Sequence, residues 1–309
     1  MSRSVYPKPL KKNARIAIVS PAGAVESKDI EKGLSLLREK GYVPVLGEYA
    51  LGKYTHGYTY AGTEKERISD LNWAFNDASI SAIWATRGGY GSQQLLRHLR
   101  LSRFRKLPKW YIGYSDNTVI QSFLLKNGFV SVYGQTLKTS SFGVDPGGYE
   151  KIFSLMEKPS LTYEIQSNLF NRGGKAKGIL VGGNLSLIYA LLGTRYSFDF
   201  HKKILFIEDI GENYYALDRM LISLDLAGVF RKIKGMIVGG MTLMGSKKDN
   251  PNYADSFDPL AYDIVKERVG KYVFPVAFGF PNGHIYRNFP LLIGVKVSLS
   301  VGEKVVVKF

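Results

Sequence analysis

The chain contains no cysteine. That excludes disulfide frameworks, thiolate metal sites and a cysteine nucleophile, and it leaves redox chemistry silent about the compartment. Histidine is scarce as well: His56, His98, His201 and His284 are the only four among 309 residues. None sits in a metal-ligand spacing such as H-E-x-x-H, so neither a metal nor another cofactor is expected. No apolar run approaches the ~20 residues that cross a bilayer, so no membrane association is expected either. The first apolar run, Ile16 to Val19, is too short for the core of a signal peptide, and a cytoplasmic location follows as the expectation. Low-complexity segments and internal repeats are also missing.

What remains is an ordinary globular composition, 45% hydrophobic, with enough length for two domains or one large one. Charge is lopsided: 42 Lys and Arg stand against 26 Asp and Glu, a formal +16. Such a surface attracts anions. The cations are dispersed through short stretches, "PLKKNAR", "RFRKLPK" and "FRKIKG", without a nucleic-acid motif. Acidic small substrates therefore fit better than nucleic acid.

The first half alternates strand and helix. "RIAIVS" (15–20), "YVPVLG", "ISAIWAT" (80–86), "KWYIGY" and "FVSVYG" read as strands. Between them, "KDIEKGLSLLREKG" spaces Ile30, Leu34 and Leu37 on one helical face, and "GTEKERISDLNWAFND" opens with Thr63 and Glu66 at capping-box spacing. Alternation of this kind predicts an α/β fold with a mostly parallel sheet flanked by helices. Turn-rich segments, "GVDPGGYEK" and "NLFNRGGKAK", interrupt it. We expect an N-terminal α/β domain over 1–145, a linker over 146–175, and a C-terminal domain over 176–309. The second half adds strands at "KGILVGGN", "KKILFIED" and "KGMIVGGM". It ends on "LLIGVKVSLSVGEKVVVKF", a period-two run with a hairpin-like turn. That predicts a mixed α/β domain with barrel-like antiparallel strands.

In open α/β sheets, ligands gather at the carboxyl ends of strands. There lie "RGGYG" (87–91), "SDN" (115–117), "GGN" (182–184), the pair Glu208 and Asp209, and "PNGH" ending at His284. Ser115 has two readings. It is a helix N-cap, or it is a nucleophile on a strand-to-helix turn. The string Gly113-Tyr114-Ser115-Asp116-Asn117 lacks the second glycine of G-x-S-x-G, so the motif alone does not choose. A serine nucleophile needs a base. His98 falls inside a helical pattern, His56 in a loop, and His201 before a strand, which leaves His284. Glu208 or Asp209 would orient it. "RGGYG" lacks the third glycine of a dinucleotide loop. Its alternative use is to expose backbone N–H groups to a reacting carbonyl.

Several strings in order resemble the LD-carboxypeptidase family of serine peptidases, which includes microcin-immunity peptidases. They are "SPAG" (20–23), "GTEKERISDLN" (62–72), "TRGGYGS" (86–92), "IGYSDNT" (112–118), "VGGNLSLI" (181–188), "LFIEDIGENYYALDRML" (205–221) and "FPNGH" (280–284). The resemblance implies a Ser-His-Glu triad of Ser115, His284 and Glu208, divided between two domains that meet at the active site. It further implies an oxyanion held by the N–H groups of Asp116 and of Gly89 or Gly88. Arg87 is a cation suited to a substrate carboxylate. The implied substrate is a murein tetrapeptide, from which the enzyme releases terminal D-alanine in cell-wall recycling, with a homodimer as the implied assembly. Many relatives have proline after the glycine at 134; here Gln135 follows. Two alternatives stand beside this reading: a microcin-immunity-like peptidase acting on peptidyl-nucleotide amides, and a non-catalytic ligand- or nucleic-acid-binding protein.

Overall fold

The segments read from the sequence can be followed one by one in a computed structural model, which describes residues 4–245 and 257–309. Through the first half run β1 (Arg15–Val19), α1 (Ser27–Glu39), β2 (Val43–Leu46), β3 (Tyr54–His56), β4 (Tyr58–Tyr60), α2 (Glu64–Asn76), β5 (Ile80–Ala85) and α3 (Ser92–Leu95). Next come β6 (Trp110–Gly113), α4 (Thr118–Lys126), β7 (Ser131–Tyr133) and α5 (Gly147–Glu157). The second half holds β8 (Thr162–Gln166), β9 (Gly174–Asn184), α6 (Leu185–Leu191), β10 (Lys203–Ile210), α7 (Tyr214–Leu226), α8 (Val229–Lys232) and β11 (Gly235–Thr242). It closes with α9 (Pro259–Arg268), β12 (Val276–Phe278), β13 (Leu291–Ile293), β14 (Lys296–Val301) and β15 (Lys304–Lys308).

The chain divides into two compact units. The first runs to Pro159 and takes back Phe289–Leu291; the second holds Ser160–Asn288 and Leu292–Phe309. Within the expected linker, α5 belongs to the first unit and β8 to the second, where β8 pairs with β15.

In the first unit five strands lie in the order β7-β6-β5-β1-β2, and every neighbouring pair is parallel. The central strands β5 and β6 are almost wholly buried, because helices cover both faces of a parallel sheet. The helix signals act as expected. Ile30, Leu34 and Leu37 of α1 are buried. Glu66 N–H donates to Thr63 Oγ1 at 3.3 Å, and Thr63 N–H returns a bond to Glu66 Oε2 at 2.7 Å, closing the capping box at the start of α2. Two local readings are corrected. His56, expected in a loop, ends strand β3 of a two-stranded hairpin turning at Gly57. His98, expected inside a helix, sits in the turn after the short α3.

The second unit carries a seven-stranded mixed sheet, β12-β11-β10-β9-β14-β15-β8. β12, β11, β10 and β9 run parallel, and β9, β14, β15 and β8 are antiparallel. The hairpin read from "VGEK" joins β14 to β15. The barrel-like character is a curl. Arg172, between β8 and β9, exchanges two backbone hydrogen bonds of 3.0 Å with Val276 on the opposite edge strand β12. Among the described residues no helix is long and apolar enough to cross a membrane.

Candidate active site

In the first unit the site is built around one turn. β6 is an apolar strand that ends at Gly113, and the chain reverses through a 3-10 turn, Ser115–Asn117, into α4. Ser115 occupies the left-handed region, φ +63°. A non-glycine residue there costs about 1–2 kcal/mol, so neighbours must hold it. They do. Ser115 N–H donates to Tyr133 Oη at 3.1 Å, and Ser115 C=O accepts from Thr118 Oγ1 at 2.7 Å. The two residues that follow grip the ends of the "RGGYG" loop. Asn117 Nδ2 donates to Arg87 C=O at 3.3 Å, and Asp116 Oδ2 accepts from Ser92 N–H at 2.8 Å. Asn117 Oδ1 is itself fixed by Tyr111 O–H at 2.6 Å.

The loop and the turn face each other closely. A Cβ on Gly88 would lie 2.8 Å from Ser115 Cβ, 3.0 Å from its Oγ and 3.4 Å from Asp116 N. Only glycine permits that approach. The N–H groups of Asp116 and Gly89 enter no backbone hydrogen bond among the described residues. Ser115 is not the N-cap of either helical piece: Tyr114 precedes the 3-10 turn and Asn117 precedes α4. Its left-handed φ instead marks a strained strand-to-helix turn, reached without the second glycine of the G-x-S-x-G motif. Burial pushes the Asp116 carboxyl up to about 6, although the hydrogen bonds from Ser92 and the charge of Arg67 pull the other way.

In the second unit, strand β10 delivers Glu208 and Asp209 from its C-terminal end. His284 Nδ1 lies 2.8 Å from Glu208 Oε2, and Glu208 is fully buried. A carboxylate only accepts, so Nδ1 carries the proton and Nε2 is left as the acceptor. Burial pushes the imidazole pKa down, but the charge and hydrogen bond of Glu208, helped by Asp209, outweigh it and leave it above its ordinary value. Asp209 takes a different part. It accepts from Ser186 N–H at 2.9 Å, Ser186 Oγ at 2.7 Å and Asn184 Nδ2 at 2.8 Å, which ties β10 to the start of α6. Its own burial, with Glu208 beside it, pushes its pKa up to about 7.

The loop that carries His284 needs room. The register of β10 against β11 slips between Ile207 and Asp209, where Gly239 and Gly240 form a bulge in β11. Gly240 N–H donates to Asn282 C=O at 2.9 Å, and a Cβ on Gly240 would meet Ile285 at 2.6 Å. Thr242 Oγ1 then holds His284 C=O at 3.0 Å. Gly283 lies at φ +124°, and a Cβ there would press on Glu208 Oε2 at 2.9 Å. The sequence reading missed Tyr133, Thr242 and the Gly239–Gly240 pair. The adjacent glycines in "VGGM" were the one visible signal; nothing marks Tyr133 or Thr242 before the fold is known.

Ser115, Asp116, Gly88, Gly89 and Arg87 are thus gathered within the first unit, and Glu208 and His284 within the second. His56, His98 and His201 have no part in either group. Among the described residues no cluster of three or more His, Asp or Glu could hold a metal ion.

Comparison with known proteins supplies the context for these two groups. Residues 16–134 match the LD-carboxypeptidase N-terminal domain and residues 177–299 the LD-carboxypeptidase C-terminal domain. A Bacillus subtilis protein, "Probable murein peptide carboxypeptidase", is 33% identical over 99% of this chain and 95% of its own length. The "Microcin C7 self-immunity protein MccF" of Escherichia coli is 27% identical over 92% of this chain and 89% of its own. Among solved structures, the muramoyltetrapeptide carboxypeptidase from Oxalobacter formigenes superposes with a TM-score of 0.81 at 27% identity, covering 95% of this chain and 98% of that one. With both domains matched and the likeness running almost end to end, the chain belongs to the LD-carboxypeptidase family and is an enzyme of the serine carboxypeptidase class.

Proposed function

We propose that the protein is an LD-carboxypeptidase that releases terminal D-alanine from murein tetrapeptide, using Ser115, His284 and Glu208 as a triad. The observation that carries this reading is the buried His284–Glu208 pair, 2.8 Å apart, in a chain whose other unit holds a serine on a strained turn. Glu208 fixes the tautomer and stabilises the imidazolium, as the acidic member of a triad must. His284 Nε2 takes the Ser115 proton as Oγ attacks the carbonyl of the L-centre. The N–H groups of Asp116 and Gly89, with Gly88 as the second possibility on the same loop, hold the oxyanion. His284 then protonates the leaving D-alanine, and water, activated by the same imidazole, hydrolyses the acyl-enzyme. The reading requires Ser115 and His284 to come within hydrogen-bond reach of each other. Arg87 supplies a cation for a substrate carboxylate.

Murein peptides carry several carboxylates, which suits a surface of +16. Recycling of such peptides places the enzyme in the cytoplasm, and we propose a homodimer as its assembly. The test is release of D-alanine from a murein tetrapeptide by the purified chain, run beside an aspartyl-adenylate mimic. D-Alanine release supports the reading. Turnover of the mimic alone would transfer the chain to the microcin-immunity activity, and turnover of neither would favour a binding protein.

A further inference from the structure

An arginine on α2 is buried beside the "RGGYG" loop, wholly within the first unit. Arg67 is only 3% exposed, which is rare for this side chain. Its Nη1 donates to Pro21 C=O at 2.8 Å and to Gly91 C=O at 3.1 Å, and its Nη2 donates to Gln94 Oε1 at 2.7 Å. The Cζ stands 4.8 Å from the centre of the Tyr60 ring on β4. Gly91 makes this packing possible. It lies at φ +125°, and a Cβ there would meet Arg67 Nη1 at 2.7 Å and the Tyr60 ring at 2.9 Å. A guanidinium offers several donors in a rigid fork and keeps its charge when buried. An aliphatic side chain would fill a core position at a lower desolvation cost. The fork therefore has a use, and its acceptors show what it is.

Pro21 and Gly91 belong to two segments that meet at a second point. Gly23, in the same turn as Pro21, donates its N–H to Gly88 C=O at 3.3 Å. The peptide bond after Gly88 is planar and trans, so its C=O and the Gly89 N–H point in opposite directions. Fixing the carbonyl on the 20–23 turn therefore fixes the direction of the Gly89 N–H. Arg67 Nη1 joins the same turn to the far end of the loop, at Gly91. The next residue, Ser92, gives its N–H to Asp116 Oδ2 at 2.8 Å, on the turn that carries Ser115. The guanidinium thus ties the 20–23 turn and α3 to the loop at its junction with the serine turn.

We propose that Arg67 is a positioning residue, which clamps the "RGGYG" loop to the 20–23 turn and so holds the Gly89 N–H in place to receive the oxyanion formed at Ser115. The inference rests on the peptidase reading above and adds to it the residue that aligns the oxyanion site. Arg67 acts through the loop rather than on substrate. Its loss should then fall on kcat, because the oxyanion exists only during reaction, and leave KM nearly unchanged.

Arg67→Met keeps much of the volume and removes both the fork and the charge; Arg67→Lys keeps the charge and loses the fork. In steady-state release of D-alanine, Arg67→Met should lower kcat about 100-fold, the scale of one lost oxyanion donor, with KM within about threefold of native. Arg67→Lys should recover only part of that loss. Gln94→Ala removes one acceptor of the fork at an exposed position, should lower kcat by a few fold, and carries the test where Arg67→Met does not fold. Amide exchange gives a readout that needs no activity. The 87–92 segment, Ser92 N–H above all, should exchange at least about tenfold faster in Arg67→Met, with β1 and β5 as protected as in the native chain. Unchanged kcat with unchanged loop exchange would overturn the inference, and so would a raised KM at native kcat, which would make Arg67 a substrate contact. Native release of D-alanine with neither effect sinks the clamp and leaves the peptidase standing. If the native chain releases no D-alanine, the peptidase reading fails and loop exchange alone decides the clamp: acceleration supports it, and no change refutes it.

Discussion

The Ser115 turn and the Glu208–His284 pair are built by different means, and the contrast is informative. In the first unit the serine side chain is presented by backbone strain. Ser115 sits at φ +63°, and its two successors, Asp116 and Asn117, grip the neighbouring loop. Near neighbours, Thr118 and Tyr111, and the more distant Tyr133 and 87–92 loop together hold this one strained turn. In the second unit the backbone of His284 is placed by long-range fitting. A bulge at Gly239–Gly240, a positive φ at Gly283 and a bond from Thr242 bring a distant loop to Glu208, 76 residues away in sequence. One half stores conformational energy in a single residue; the other relies on missing side chains.

Four substitutions probe that contrast. The largest effect is expected from Ser115→Ala, which should reduce kcat by ~10⁴-fold or more while leaving the melting temperature near native. Unchanged D-alanine release in that variant would refute the nucleophile assignment. Glu208→Gln should cost less activity and should also move the pH profile. The base must be neutral to act, and Glu208 holds the His284 pKa above its ordinary value against the opposing effect of burial. With the carboxylate gone, burial prevails, so the acidic limb of kcat/KM should shift to lower pH. An unmoved limb would mean that Glu208 does not set the protonation of the base. The smallest effect separates the two building methods. Ser115→Gly should raise stability by about 1 kcal/mol by relieving the left-handed strain. Gly283→Ala should lower it by about 1–3 kcal/mol, since φ is +124° and the new Cβ would press on Glu208 Oε2. Denaturant midpoints that moved the same way in both variants would contradict the distinction.

The pH dependence of stability follows from the same pair. His284 has a raised pKa in the folded state, so its contribution is fully present below the unfolded value near ~6.5 and is lost as pH rises through the folded value. Asp209 is raised to about 7, so folding disfavours its carboxylate, and stability falls between the unfolded value near ~3.9 and that point. Both groups make the second unit less stable toward alkaline pH.

Much of this was legible before the fold was known. Helix faces such as Ile30, Leu34 and Leu37, the Thr63–Glu66 capping box and the parallel strands are short-range patterns, and local periodicity reports them faithfully. The turn carrying Ser115 was legible as a strand-to-helix junction, but its φ was not, because the tyrosine phenol that accepts the serine's N–H comes from another strand. The β3–β4 hairpin escaped notice because its three-residue strands give too little alternation to read. In the second unit the order of Glu208 and Asp209 along β10 says nothing about which of them meets His284; the Gly239–Gly240 bulge and the path of the 282–285 loop bear on that.

By itself, then, the sequence determined the α/β alternation, the strand ends where polar residues collect and, through an ordered set of strings, the family. Those properties are local or cumulative along the chain. Only the tertiary structure decided that Ser115 is strained rather than capping and that Arg87 lines a mixed-charge cleft, and it showed the Glu208–imidazole bond that the family resemblance implies. Each depends on groups far apart in sequence meeting within a few ångströms, and no local pattern encodes such a meeting.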